Sequence, residues 1–245
     1  MRPVPGGGRG ATGVLRALLR RARPMLSGTD VGWLYALAVL VCTVATAALP
    51  AVQQREVVLS SSTNVDNLRE HPLLVLAVSP FVVSPPSGLW ILAPLVVAYG
   101  AAQRWLGRAA TAVVAAMGHV GSTLVVAVAL SAGIAHGHLD PAVAGQPDVG
   151  VSYGLLAVAG LLSARLRGRR RAVYVALLVA YAVTPLLSGL TFTDAGHAVA
   201  LGTGLGLALV AGRAAARAPD RAPDRGAQRP TVGSDQRPTT VISME

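Results

Sequence analysis

The run VGWLYALAVLVCTVATAALPAV, Val31 to Val52, carries no charged residue over its whole length. A helix must keep roughly 20 apolar residues together to cross a hydrocarbon core of ~30 Å, because only a helix satisfies its own backbone where water is absent. The run meets that requirement and marks the chain as a membrane protein. Composition agrees: 53% of residues are hydrophobic, 13% are charged and the mean hydropathy is +0.55, whereas a soluble domain carries about 25% charged residues. Disordered proteins, disulfide scaffolds and ordinary soluble enzymes are excluded on these figures. The 21 basic residues, all arginine, against 11 acids give a net charge of +10. In a soluble chain that excess points to nucleic acid; here it points to the lipid bilayer, and no nucleic-acid partner is expected. The single cysteine, Cys42, lies inside the run and allows no intramolecular disulfide.

Outward from this run, apolar stretches over residues 87–102, 109–135, 150–164, 172–190 and 196–212 complete a set of six. The third is long enough to cross with tilt. The fourth is short, which places it in a locally thinned region or starts it inside the outer boundary. Residues 72–83 are apolar but too short to span, and prolines close them, so they read as an interfacial or re-entrant segment packed on the bundle. Arginines orient the set, since positive loops stay in the cytoplasm. Six precede the first span, Arg104 and Arg108 lie between the second and third, five (Arg165, Arg167, Arg169, Arg170, Arg171) lie between the fourth and fifth, and six follow the last. Six spans with both termini cytoplasmic place 19 of 21 arginines inside, leaving Arg55 and Arg69 for the other face.

The expectation is an all-α polytopic protein of the plasma membrane. It has a basic cytoplasmic segment over residues 1–30, a six-helix membrane domain over 31–213 and a disordered cytoplasmic tail over 214–245. The tail contains the repeat RAPDRAPD and has little to bury. The first run exceeds the usual ~7–15-residue core of a signal peptide and is read as an uncleaved span.

An ionisable residue in a span costs about 2.5–3.5 kcal/mol on insertion scales, so each needs a reason. The exceptions here are His119 in the third span and His197 in the sixth, with Asp194 just outside the latter. Ser152 stands out by context, in Asp148-Val-Gly150-Val-Ser152-Tyr-Gly154 where the fourth span begins. The fourth and sixth spans both run from outside to inside, so Ser152 and His197 lie at similar depth. If their helices are neighbours, the histidine can take the serine proton during attack on a carbonyl. N–H groups at the start of the fourth helix face outward, where they can hold an oxyanion; Gly150 and Gly154 leave room for a peptide backbone. The alternative keeps Ser152 as a small residue for close helix contact and His197 as an interhelical hydrogen-bond partner. Asp194 caps the sixth helix or orients the histidine. His136 and His138, with Asp140, sit on a glycine-containing loop and are too few for a metal site; neither metal nor cofactor is expected.

These residues resemble the rhomboid family of intramembrane serine proteases. In that family a Gly-x-Ser motif opens the fourth of six core helices, as Gly150-Val-Ser152 does here with Gly160 eight residues on from the serine. A histidine near the start of the sixth opens a His-x-x-Gly-x-x-x-Gly-like pattern; His197, Ala200 and Gly204 occupy it. Gly100-Ala-Ala-Gln-Arg-Trp-Leu-Gly107 looks like the family's Gly-x-x-x-Glu-x-x-x-Gly, with Gln103 near the acidic position. The resemblance covers about residues 31–212 and implies a nucleophile at Ser152 and a base at His197. Gly150, Val151 and Tyr153 then lie where the oxyanion and substrate approach, and His119 is a candidate replacement for an oxyanion donor or a buried hydrogen-bond partner.

This chain also departs from the family. Residues 87–100 lack the histidine and asparagine that help hold the oxyanion. Leu156 stands where a tyrosine normally packs on the histidine, with Tyr153 instead adjacent to the serine. The Trp-Arg element of the first outer loop is absent. The function expected is cleavage of transmembrane-helix substrates; the alternatives are a non-catalytic relative that binds client membrane proteins, or a small transporter subunit. The last lacks the paired halves or acidic pathway a transporter shows.

Overall fold

A computed structural model describes residues 28–188 and 191–217. The basic segment up to residue 27 and the tail from residue 218 lie outside the described residues. Nine α-helices are described: α1 (Asp30–Ala47), α2 (Ala51–Ser60), α3 (Val65–Glu70), α4 (Pro72–Val78), α5 (Leu92–Leu106), α6 (Arg108–Ala135), α7 (Ser152–Leu162), α8 (Gly168–Ser188) and α9 (Phe192–Arg217). Among the described residues there is no strand.

Among the described residues, four helical stretches are long and apolar enough to cross a membrane: Asp30–Ala47, Pro86–Leu106, Arg108–Ala135 and Phe192–Arg213. The second of these is α5 preceded by the 3₁₀ turn Pro86–Ile91. The first apolar run does not continue to Val52 as one helix. It ends at Ala47, and Pro50, which has no N–H for a helical bond, sits extended at the head of α2. The fourth apolar stretch yields only the 11 residues of α7 plus the 3₁₀ turn Ser163–Arg165.

Helix α7 is the centre of the bundle, with every residue from Tyr153 to Leu161 buried. It packs between α6 and α9, and the closeness of both contacts depends on glycine. A Cβ on Gly118 of α6 would lie 2.2 Å from the Ala157 Cβ, and one on Gly204 of α9 would lie 2.1 Å from the Ala157 carbonyl oxygen. Ala157 is therefore pinched between two glycines, and the backbones approach as small residues permit. On the other flank, α5 contributes Leu95 and Tyr99 to the same core as Val151, Val158 and Leu161.

Two polar clusters tie the helices at their ends. At the α5–α6 turn, the Gln103 side chain accepts from the Val31 N–H at 2.9 Å and donates to Asp30, whose carboxylate also meets Arg108 at 2.9 Å. Gly107, at φ +85°, makes that turn. At the head of α7, Ser62 and Thr63 bind the Asp148 backbone: Thr63 N–H donates to its carbonyl at 2.9 Å, and Asp148 N–H donates to Ser62 Oγ at 2.6 Å. Asn64 caps α3 by accepting from Asn67 N–H at 2.8 Å and donates to the Gly145 carbonyl at 3.3 Å. The short apolar segment begins with α4 and ends in the turn Ser79–Phe81. There the Ser79 carbonyl accepts from Gly150 N–H at 3.0 Å and the Pro80 carbonyl from the Tyr35 hydroxyl at 2.9 Å.

Candidate active site

Ser152 is the first residue of α7 and His197 lies in the second turn of α9. The packing of α7 on α9 brings them together, with His197 Nε2 2.9 Å from Ser152 Oγ. The tautomer with Nε2 bare accepts the serine O–H. Asp194 and Thr191 set the start of α9 by capping each other: Thr191 N–H donates to Asp194 Oδ2 at 3.2 Å, and Asp194 N–H donates to Thr191 Oγ1 at 3.3 Å. Asp194 is thus engaged as a helix cap, one of the two roles read for it.

The imidazole of His197 is held between aromatic rings. Tyr153 meets it edge-on, centroids 5.5 Å apart at 79°, and Tyr181 of α8 lies at 6.3 Å. The Tyr153 hydroxyl donates to both carboxylate oxygens of Asp148, at 3.1 and 3.0 Å, and Thr193 Oγ1 reaches Oδ1 at 3.4 Å. Burial pushes the Asp148 carboxyl up to about 6, against the opposing pull of the hydroxyls that hydrogen-bond to it.

The remaining predicted residues have definite places. Gly150, at φ +131°, adopts a backbone conformation that favours glycine, and its N–H is engaged by the Ser79 carbonyl. Val151 is buried, and its carbonyl accepts the first helical bond of α7 from Leu155 N–H. The N–H groups of Ser152, Tyr153 and Gly154 precede that bond and lie in the orphan first turn of the helix. Gly154 faces Tyr99 and Ala115, where a Cβ would meet the Tyr99 hydroxyl at 2.9 Å, so its small size serves helix packing. His119 is buried, with Nε2 3.1 Å from Ser79 Oγ and its ring 6.4 Å from that of Tyr153. The His136 and His138 rings stack on each other at 6.2 Å, and Asp140 caps the Pro141–Gly145 turn by accepting from Ala142 N–H. No group of three His, Cys, Asp or Glu that could hold a metal occurs among the described residues.

Ser152 opens onto an apolar cavity of about 760 Å³ between α5 and α8, with Trp90, Val97, Leu155, Leu178 and Tyr181 among its walls. Two residues of its wall, Trp90 and Val97, are also exposed on the protein surface.

A family model described as rhomboid-like protein matches residues 23–216, most of the chain. The chain belongs to the rhomboid-like family. No curated protein and no solved structure matches it. Within this rhomboid-like chain, the ring that packs on the histidine comes from Tyr153, beside the serine, and the position four residues on is the buried core residue Leu156. Sequence reasoning missed Asp148 as a partner of Tyr153. Its only signal was a carboxylate four residues ahead of the serine, in a segment with no other charge.

Proposed function

We propose that this rhomboid-like protein is an intramembrane serine protease of six spans with both termini cytoplasmic, cleaving transmembrane helices near their outer ends at the plasma membrane. The observation that carries the reading is the 2.9 Å contact between His197 Nε2 and Ser152 Oγ at the head of a buried helix. On this reading Ser152 Oγ attacks the substrate carbonyl carbon while its proton passes to His197 Nε2. The orphan N–H groups of the first turn of α7 face the developing oxyanion. The proton then passes to the leaving amine as the C–N bond breaks. A water, deprotonated by His197, cleaves the Ser152 ester and restores the serine. The apolar cavity beside Ser152 suits a helix arriving from lipid, and α7 and α8 complete the set of spans. Arginine placement supports the orientation.

A fluorophosphonate serine probe on the detergent-solubilised protein tests this. Labelling is expected in the wild type and lost in both Ser152→Ala and His197→Ala; a folded wild type that takes no label overturns it. A second reading, a non-catalytic relative that binds client membrane proteins, is favoured by residues 87–100, which supply neither histidine nor asparagine to an oxyanion. It predicts that client co-purification survives both substitutions.

A further inference from the structure

Asp148 takes no part in the reaction above, yet its side chain is built into the site. The residue is 6% exposed, and a buried carboxylate is costly unless it is hydrogen-bonded. Its backbone is fixed first: Ser62 Oγ takes its N–H, and Thr63 donates to its carbonyl through both N–H and hydroxyl, at 2.9 and 3.0 Å. The carboxylate then reaches two helices. It accepts the Tyr153 hydroxyl on both oxygens and that of Thr193, the second residue of α9, on Oδ1.

Tyr153 carries this hold onward to the histidine. Its ring edge meets the His197 imidazole, and its hydroxyl end lies so close to Gly196 that a Cβ there would sit 2.2 Å from the tyrosine oxygen. The ring is wedged against α9 on one side and bonded to Asp148 at its tip, which leaves it one orientation. The other carboxylate near His197, Asp194, is turned to Thr191.

We propose that Asp148 is a positioning residue for the Ser152–His197 pair, holding the Tyr153 ring against the imidazole and tying the head of α7 to the head of α9. Its contribution to hydrolysis rests on the protease reading; the contact it enforces on His197 does not.

The test uses the full chain in detergent, with Asp148→Ala, Asp148→Asn, Tyr153→Phe and the double variant Asp148→Ala/Tyr153→Phe. Two quantities are read: the fluorophosphonate labelling rate per folded protein, and the ring resonances of His197 in histidine-labelled protein, assigned with His197→Gln. Displacing a catalytic group by about 1 Å can cost ~10²-fold, so a slowing of about 10- to 100-fold is expected for both Asp148→Ala and Tyr153→Phe. The double variant is expected to be no slower than the slower single one, because both remove the same contact. Asp148→Asn retains an acceptor oxygen for the tyrosine hydroxyl and recovers most of the rate. The His197 resonances are expected to move alike in Asp148→Ala and Tyr153→Phe. Additive losses, or His197 resonances that stay in place in the folded variants, overturn the proposal. A wild type that takes no label removes the protease reading alone, and the His197 resonances still decide the contact.

Discussion

The two flanks of α7 are built on opposite plans. Toward α6 and α9 its backbone is gripped through Gly118 and Gly204, with Ala157 between them and no room for a methyl group. Toward α5 and α8 the contact opens into the cavity onto which Ser152 faces, and α8 is pinned to α7 by the Tyr174 hydroxyl donating to the Ala159 carbonyl at 2.9 Å. His197 reaches Ser152 from the gripped side, while Ser152 itself stands at the border and opens onto the cavity. Reactive groups need a fixed separation and a substrate needs an opening, and here two faces of one short helix divide those requirements.

The largest effect is expected from forcing the gripped side apart. Gly204→Val places a branched side chain against the Ala157 backbone, and overpacking of this kind costs typically ~1–3 kcal/mol, here toward the upper end because backbone cannot yield. Gly202→Ala, whose Cβ would meet nothing within 4 Å, serves as the neutral control, and thermal unfolding in detergent compares the two. Equal losses would break the distinction between the flanks.

Next in size is a pH dependence at the head of the gripped side. The Asp148 carboxyl is raised from 3.8 to about 6 by burial, so the folded state binds its proton more tightly than the unfolded state does. The stabilisation is complete below pH 3.8 and is lost as pH rises through about 6. From this group alone, stability is expected to fall by of order 2–3 kcal/mol between about pH 4 and 7. Asp148→Asn flattens that slope, and denaturation at a series of pH values checks it.

The smallest effect on stability is expected on the open side. Leu178→Trp fills part of the cavity with little strain, leaving stability within ~0.5 kcal/mol. Cleavage of a reporter helix is slowed while the small fluorophosphonate probe still labels Ser152. Equal loss of both activities would mean that the cavity is not the route to the serine.

Much of the architecture was legible because hydrocarbon imposes length and arginine imposes boundaries. The third span was expected over residues 109–135 and is the helix Arg108–Ala135, since Gly107 and the arginines around it end the apolar pattern abruptly. The apolar run extends five residues past the helix, because Leu49, Ala51 and Val52 continue the apolar pattern and hydropathy does not register the N–H that Pro50 lacks. Ser152 and His197 could be assigned to corresponding helix ends by counting spans; that their side chains meet depends on the closeness granted by Gly204, which a sequence shows only as one small residue among many. The Asp148–Tyr153 contact was out of reach, since the carboxylate is aimed by Ser62 and Thr63, more than 80 positions away.

The turn Ser79–Phe81 has a mechanical meaning. Its Ser79 carbonyl holds Gly150, two residues ahead of the serine, and its hydroxyl holds His119. The helix feeding into it, α4, presents Leu73 and Leu74 outward, 82% and 60% exposed. One short turn thus joins three elements, bonding α1 through Tyr35, α6 through His119 and the lead-in to α7 through Gly150. The segment that contributes no side chain to the Ser152–His197 pair is the clasp on which the start of α7 hangs.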